Sequence, residues 1–167
     1  MTVEQYMTPN PITVRPDTSL RKAFELLESH RIRHLPIIQG KKLVGIVTDR
    51  DLRQQLPSPL AQAEDFERFR SWTAKVKVGE VMTRRVLSVN PDTRTDKAAR
   101  LMVEHRIGCL PVLRGSTLVG IITTIDLLRA IAGEDRSHPV PLETRSRQRK
   151  VLEDRRAPRG EIRTVNR

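Results

Sequence analysis

Aromatic residues are scarce, at 3% of the 167-residue chain, and there is a single cysteine. With so few rings the core has to be aliphatic, and broad base-stacking platforms for single-stranded nucleic acid are not expected. A lone Cys109 excludes an internal disulfide framework and fits a reducing cytoplasm. No apolar run approaches the roughly 20 residues of a bilayer span, and residues Thr2 to Gln5 are too polar to open a signal peptide. The expectation is a soluble, cytoplasmic protein. Also missing are a Gly-x-Ser-x-Gly elbow and a Walker-type phosphate loop, so nucleophilic catalysis has no assembled case. The chain reads as a non-enzyme.

Acidic residues are in the minority: 20 Asp and Glu against 31 Lys and Arg, a net charge of +11. Positions 134–167 hold 10 basic and 6 acidic residues, a net +4, which leaves +7 on positions 1–133. A basic body attracts nucleotides, nucleic acid or acidic surfaces. Charge alone does not choose among them, and a solvated basic surface explains it as well.

What the chain does have is a duplication. Val3 to Leu52 overlays Val78 to Leu127 at an offset of 75 without a gap, with 23 of 50 positions identical. Met7-Thr8 returns as Met82-Thr83, Pro16-Asp17-Thr18 as Pro91-Asp92-Thr93, and His30-Arg31-Ile32 as His105-Arg106-Ile107. Leu35-Pro36 returns as Leu110-Pro111, and Leu43-Val44-Gly45-Ile46 as Leu118-Val119-Gly120-Ile121. Two units are too few for a solenoid and point instead to a closed pair about a pseudo-twofold axis.

Within one unit, Leu20, Ala23, Phe24 and Leu27 fall at i, i+3, i+4, i+7 behind capping residues, which predicts an amphipathic helix ending near His30-Arg31. Leu35–Ile38 and Leu43–Val47 flank a turn at Gly40 and predict a hairpin. Thr48 opens a second helix reaching about Leu56, and Ile12 to Val14 can add an edge strand. Each unit therefore reads β-α-β-β-α, an α/β (α+β) fold. The division expected is 1–56 for the first unit, 57–77 for a linker helix, 78–133 for the second unit and 134–167 for a basic, disordered tail. Phe66, Phe69 and Trp72 should lay the linker helix on the core.

The pattern of Met-Thr, Pro-Asp-Thr, a helix, Arg-Ile-x-x-Leu-Pro and Leu-Val-Gly-Ile-x-Thr-x-x-Asp-Leu resembles the cystathionine β-synthase (CBS) domain, in tandem as a Bateman module. The resemblance covers Val3 to about Leu128. It implies a regulatory module, often a flat homodimer, that binds adenosyl nucleotides (AMP, ADP, ATP or S-adenosylmethionine) in clefts between the copies and needs no other cofactor. The family's Gly-x-x-Thr-x-x-Asp motif stands here as Gly45, Thr48, Asp51 and as Gly120, Thr123, Asp126. By the resemblance, Asp takes the ribose hydroxyls and Thr the phosphate or ribose. Ile12, Thr13 and Pro36 in one cleft, and Leu87, Ser88 and Pro111 in the other, flank the adenine. Arg33 is a candidate for nucleotide phosphates, and its counterpart Gly108 carries no charge. The Asp51 cleft should therefore bind phosphorylated nucleotide more tightly than the Asp126 cleft.

Thr-x-x-Asp at a helix start is also a near capping box that requires no ligand. His30/His34 and His105/Cys109 repeat a four-residue spacing, but no third ligand is in reach for a metal, and a lone buried cysteine is more often inert than a redox switch. The Arg-rich tail could bind nucleic acid, though a solvated extension explains it better. The leading expectation is a stand-alone nucleotide sensor signalling in trans to an unknown effector protein. Its rivals are a nucleic-acid-associated protein and a structural dimerisation module with empty clefts.

Overall fold

Every helix and hairpin strand of the first copy recurs in the second, the two-residue strand Thr8–Pro9 being answered there only by a bridge at Thr83, and one segment has been traded between the copies. The structure is a computed structural model that describes residues 1–54 and 62–133. In chain order the elements are α1 (Val3–Tyr6), β1 (Thr8–Pro9), α2 (Leu20–Ser29), β2 (His34–Gln39), β3 (Lys42–Thr48), α3 (Asp49–Arg53), α4 (Ala63–Lys75), α5 (Val78–Val81), α6 (Thr95–His105), β4 (Cys109–Arg114), β5 (Thr117–Thr123) and α7 (Thr124–Ile131). This is the expected α+β architecture of helices on antiparallel strands. The basic tail and the Leu56 end of the second helix lie outside the described residues.

The helix α2 starts where Ser19, in extended conformation, accepts a hydrogen bond from the Lys22 amide at 3.3 Å. It buries Leu20, Ala23 and Leu27, each leucine contributing about 2 kcal/mol of transfer free energy. Past the helix, Arg31 adopts a left-handed conformation (φ 52°), as does Arg106 at the end of α6 (φ 53°). A non-glycine residue there costs about 1 kcal/mol, and the reversal sends the chain directly into β2 or β4.

The strands β2 and β3 pair antiparallel from His34↔Thr48 to Gln39↔Lys42, and β4 and β5 from Cys109↔Thr123 to Arg114↔Thr117. Both hairpins carry a register shift at the matching place, Ile37/Ile38 and Val112/Leu113. The expected edge strand shrinks to one bridge per copy, Val14 beside Ile37 and Val89 beside Val112, both parallel. The hairpins meet at Lys42↔Thr117, and Ile46, Cys109 and Ile121 fill the seam between them with Val86 packed alongside.

Sequence reading did not anticipate α1 and α5. The amides of Val3 and Glu4 donate to the carbonyls of Thr93 and Pro91, and those of Val78 and Gly79 donate to Thr18 and Pro16. Each start of a repeat is thus hydrogen-bonded to the other repeat. Val3 and Met7 sit in a core with Val89, Met102, Leu110 and Ile122, whereas Val78 and Met82 sit with Val14, Leu20, Leu35 and Val47. The exchange explains two glycines. A Cβ on Gly45 would lie 2.9 Å from Met82 Cγ and 3.1 Å from the Thr83 carbonyl, and one on Gly120 would lie 3.1 Å from Met7 Cγ and 3.2 Å from the Thr8 carbonyl. Both arms cross the strands where no side chain stands.

The linker helix α4 docks on α2 rather than sinking into the core. Phe69 meets Phe24 edge-on at 6.1 Å between ring centroids, and Thr73, one turn on, is buried. Phe66 and Trp72 remain exposed. At 3.6 residues per turn, a spacing of three drifts by about 60° per step, so the three rings fan across the helix and only the middle one faces inward.

Candidate functional site

Each hairpin delivers a threonine to the last position of its second strand, where the chain turns into a helix. Thr48 is the N-cap of α3 and Thr123 the N-cap of α7, both with extended backbone. Asp51 stands three residues on. Its Oδ2 accepts from the Thr48 amide at 3.0 Å and from Thr48 Oγ1 at 2.7 Å, while its own amide donates to Thr48 Oγ1 at 3.1 Å. The second copy repeats the arrangement: Asp126 Oδ2 accepts at 2.9 and 2.7 Å, and the Asp126 amide donates to Thr123 Oγ1 at 3.4 Å. The capping box that the spacing allowed is therefore formed in both copies. These bonds engage only one carboxylate oxygen of each aspartate.

The copies differ around that shared box. Asp51 is half-buried, whereas Asp126 is 5% exposed and has Arg129 Nη1 3.9 Å from its Oδ1. The first-copy counterpart of Arg129 is Gln54 (129 − 75), which is uncharged. Arg33 is exposed immediately before β2, and its carbonyl accepts from the Asp49 amide at 2.9 Å; Gly108 and Thr124 make the equivalent bond at 3.1 Å. Arg33 is thereby tied by backbone to the start of the helix carrying Asp51. Because α3 spans only five residues, its dipole is small.

Pro36 and Pro111 are buried in β2 and β4. Ile12 and Thr13 are half-buried and are held next to β2 by Val14, whose amide donates to the Pro36 carbonyl at 3.1 Å and whose carbonyl accepts from Ile38 at 2.9 Å. Leu87 and Ser88, leading to Val89, are exposed at the equivalent place. So the residues named from sequence cluster by copy: Thr48, Asp51 and Arg33 at one end of a hairpin, with Ile12 and Thr13 alongside Pro36. Two surface depressions of about 500 and 430 Å³ lie elsewhere, one between α2, α3 and α4 and the other beside α5, and neither is lined by Thr48 or Asp51.

Two further residues stand beside these: His34, which the sequence offered only as half of a rejected metal pair, and Arg129, which it did not single out. His34 is the cross-strand partner of Thr48, and its ring nitrogen Nε2 is 3.6 Å from where a Cβ on Gly108 would stand. The imidazole of one copy thus lies against Gly108 of the other, at a distance where a Cβ would be in ordinary van der Waals contact. Burial lowers the His34 pKa, Arg33 lowers it further, and Asp51 opposes both, so the ring is neutral at pH 7. Its register opposite Thr48 was the available signal. The other residue is Arg129, whose spacing of three from Asp126 on a helix was the clue. Cys109, the counterpart of His34, is a thiol that burial pushes up to about 12, which keeps it protonated and unreactive at neutral pH.

No helix among the described residues is long and apolar enough to cross a membrane. The family model of the CBS domain matches residues 3–58 and again 78–133. Among curated proteins, the CBS domain-containing protein YhcV of Bacillus subtilis is 31% identical over 125 residues, covering 75% of this chain and 81% of that protein. The homoserine O-acetyltransferase of Methanocorpusculum labreanum is 35% identical over 126 residues, but the match spans only 23% of that enzyme's length. Among solved structures, CBSX2 in complex with AMP aligns with a TM-score of 0.66 at 34% identity, over 79% of this chain and 96% of that one. The CBS domain pair of protein MJ0100, in complex with 5-methylthioadenosine and S-adenosyl-L-methionine, aligns with a TM-score of 0.66 at 31% identity, over 81% and 98%. With both repeats matched along nearly their whole length, the chain belongs to the CBS-domain family and carries the domain as a tandem pair.

Proposed function

We propose that this tandem pair is a regulatory module that binds an adenosyl nucleotide at the Thr48–Asp51 end of the first hairpin and signals in trans to an effector protein, working as a pair of copies in a cytoplasmic setting. The observation that carries the reading is the half-buried Asp51 carboxylate with one oxygen outside the capping box and Arg33 tied to the same helix start. Such a carboxylate accepts from ribose hydroxyls, and the guanidinium pairs with phosphate. Ile12 and Thr13 beside Pro36 supply a partly apolar wall for the base. The bound AMP of CBSX2 and the bound S-adenosyl-L-methionine of the MJ0100 pair support the ligand class.

The second site is weaker in this proposal. Asp126 is nearly buried and held by Arg129, and Gly108 brings no charge. A ligand there has to displace an existing ion pair before it gains its own contacts. The module is regulatory rather than catalytic, because binding shifts the balance of two states by its differential affinity for them. A thermal-shift and calorimetric screen with AMP, ADP, ATP, S-adenosylmethionine and GTP tests the reading. A stabilisation by one adenosyl ligand that is lost in Asp51→Ala is expected, with tighter binding at the Asp51 site. Equal dissociation constants at two sites sink the asymmetry, and no response to any of the five leaves a structural module. Binding to nucleic acid that falls steeply with salt and needs positions 134–167 supports the rival.

A further inference from the structure

The duplication supplies its own comparison for the places where each arm meets a hairpin. In the second copy the first arm brings Glu4 against β4, and Arg114 Nη2 donates to Glu4 Oε1 at 3.0 Å. The equivalents of Glu4 and Arg114 at an offset of 75 are Gly79 and Gln39, so both members of that ion pair are missing at the other arm. There the protein has the depression of about 430 Å³ beside α5, lined by both of these residues. The lost carboxylate has no room on the chain itself, since a Cβ on Gly79 would stand 2.9 Å from the Pro16 carbonyl oxygen.

Cations stand in place of that carboxylate. Lys77 and Arg84 line the depression, and their equivalents at the other arm are Thr2 and Pro9. Arg84 Nη2 donates to the Gly79 carbonyl at 2.7 Å, which anchors the guanidinium at the residue whose twin is Glu4. That bond uses one N–H of the five a guanidinium carries. The acidic group in the lining, Glu80, is engaged as a cap: its Oε1 accepts from the Lys77 amide at 2.7 Å at the start of α5. Two cations against one anion leave the lining net positive, whereas Arg114 and Glu4 balance each other at the twin.

We infer that this depression is a binding site for a small organic carboxylate, seated where the twin holds the carboxylate of Glu4. Arg84 and Lys77 supply charge-assisted hydrogen bonds, the Gln39 amide occupies the position of Arg114, and Val44 and Met82 offer an apolar wall to the ligand's carbon chain. The volume lies toward the lower end of small-molecule sites. An inorganic anion gains nothing from the apolar wall, and an acidic membrane or nucleic acid calls for a broad basic surface rather than a depression holding two cations. Once bound, the carboxylate ties the arm carrying Lys77 and Arg84 to the first hairpin, as the Arg114–Glu4 pair ties the other arm to β4. Lys77, Arg84 and Gln39 are all exposed, so solvent screens these contacts and binding is weak, in the millimolar range.

The depression is not lined by Thr48 or Asp51, so the inference is independent of the nucleotide reading. The test is an amide chemical-shift titration of the full chain with sodium succinate. Sodium chloride at matched ionic strength, inorganic phosphate and the neutral diamide succinamide run as parallel titrants. Saturable shifts centred on Gly79, Glu80 and Gln39 are expected with succinate, and weaker ones with phosphate. Arg84→Gln should weaken succinate binding about threefold or more. Gln39→Arg, which installs the twin's residue, should tighten it by a similar factor. Shifts that sodium chloride or succinamide reproduces, phosphate binding as tight as succinate, or shifts centred on Thr48 and Asp51 overturn the proposal. So does a folded Arg84→Gln protein that binds succinate as the wild type does. Should that variant fail to fold, Gln39→Arg decides, and no tightening there overturns the site.

Discussion

Replacing Asp51 with Asn separates the two duties of that carboxylate, capping and ligand binding. As a cap, Asp51 accepts from the Thr48 amide at 3.0 Å and from its hydroxyl at 2.7 Å. An amide oxygen can still accept, but without charge, so the expected loss in the ligand-free protein is about 1 kcal/mol. For a chain of this size that lowers the thermal midpoint by about 4 °C. As a ligand group its loss reads differently. A nucleotide at 100 times its dissociation constant stabilises by about 2.7 kcal/mol, a rise of roughly 10 °C by the same conversion, and the variant should lose most of that rise. Asp126→Asn runs beside it as a control: its ligand-free penalty should be larger, because Asp126 is 5% exposed and its charge faces Arg129 Nη1 at 3.9 Å, while the ligand-induced rise should survive. Scanning fluorimetry on the three proteins, with and without the stabilising nucleotide, is sufficient. If Asp51→Asn drops the ligand-free midpoint yet keeps the full ligand-induced rise, Asp51 is only a helix cap and the assignment fails.

Three other perturbations follow from the same structure. Gly120→Val should cost about 1–3 kcal/mol in urea denaturation, because the new side chain meets Met7 and the Thr8 carbonyl; a loss below 0.5 kcal/mol, roughly the noise of a surface change, would mean the arm exchange is not what holds Val3 and Met7. His34 has a lowered pKa, so the unfolded chain binds its proton first as pH falls. His34's contribution is complete above the ordinary histidine value of about 6.5 and declines below it, and His34→Gln should flatten that decline in denaturation measured from pH 7.5 to 5. Cys109, with its thiol pushed up to about 12, should label with a thiol reagent at pH 8 only as fast as the protein opens; labelling at the rate of a free thiol would refute its burial at the seam.

The duplication, the helix-hairpin-helix order of each unit and the Thr-x-x-Asp pairs were legible in the sequence because each rests on local chemistry, whereas the expected leading strand is only a bridge at Val14 and at Val89. A stripe at i, i+3, i+4, i+7 makes α2 whatever it packs against, and a glycine between two aliphatic runs makes a hairpin. Less legible was the fan of Phe66, Phe69 and Trp72, where a spacing of three on a helix of period 3.6 leaves only one ring facing α2. The exchange of α1 and α5 could not be read at all. Val3-x-x-x-Met7 and Val78-x-x-x-Met82 are the same pattern, and a pattern cannot say which of two like cores it enters.

The sequence by itself determined that two equal units would be built, and where each would present a threonine and an aspartate, because strand and helix periods and capping act within a few residues. Only the tertiary structure decided that the units are interlocked by their first segments and that the two aspartates are unequal. It also decided that one arm is tied to its hairpin by an ion pair while its twin borders a depression. Those outcomes depend on contacts between residues far apart in the chain, such as Val3 with Thr93 and Val78 with Thr18, or on the difference between Gln54 and Arg129, which acquires meaning only once Asp126 is buried beside it.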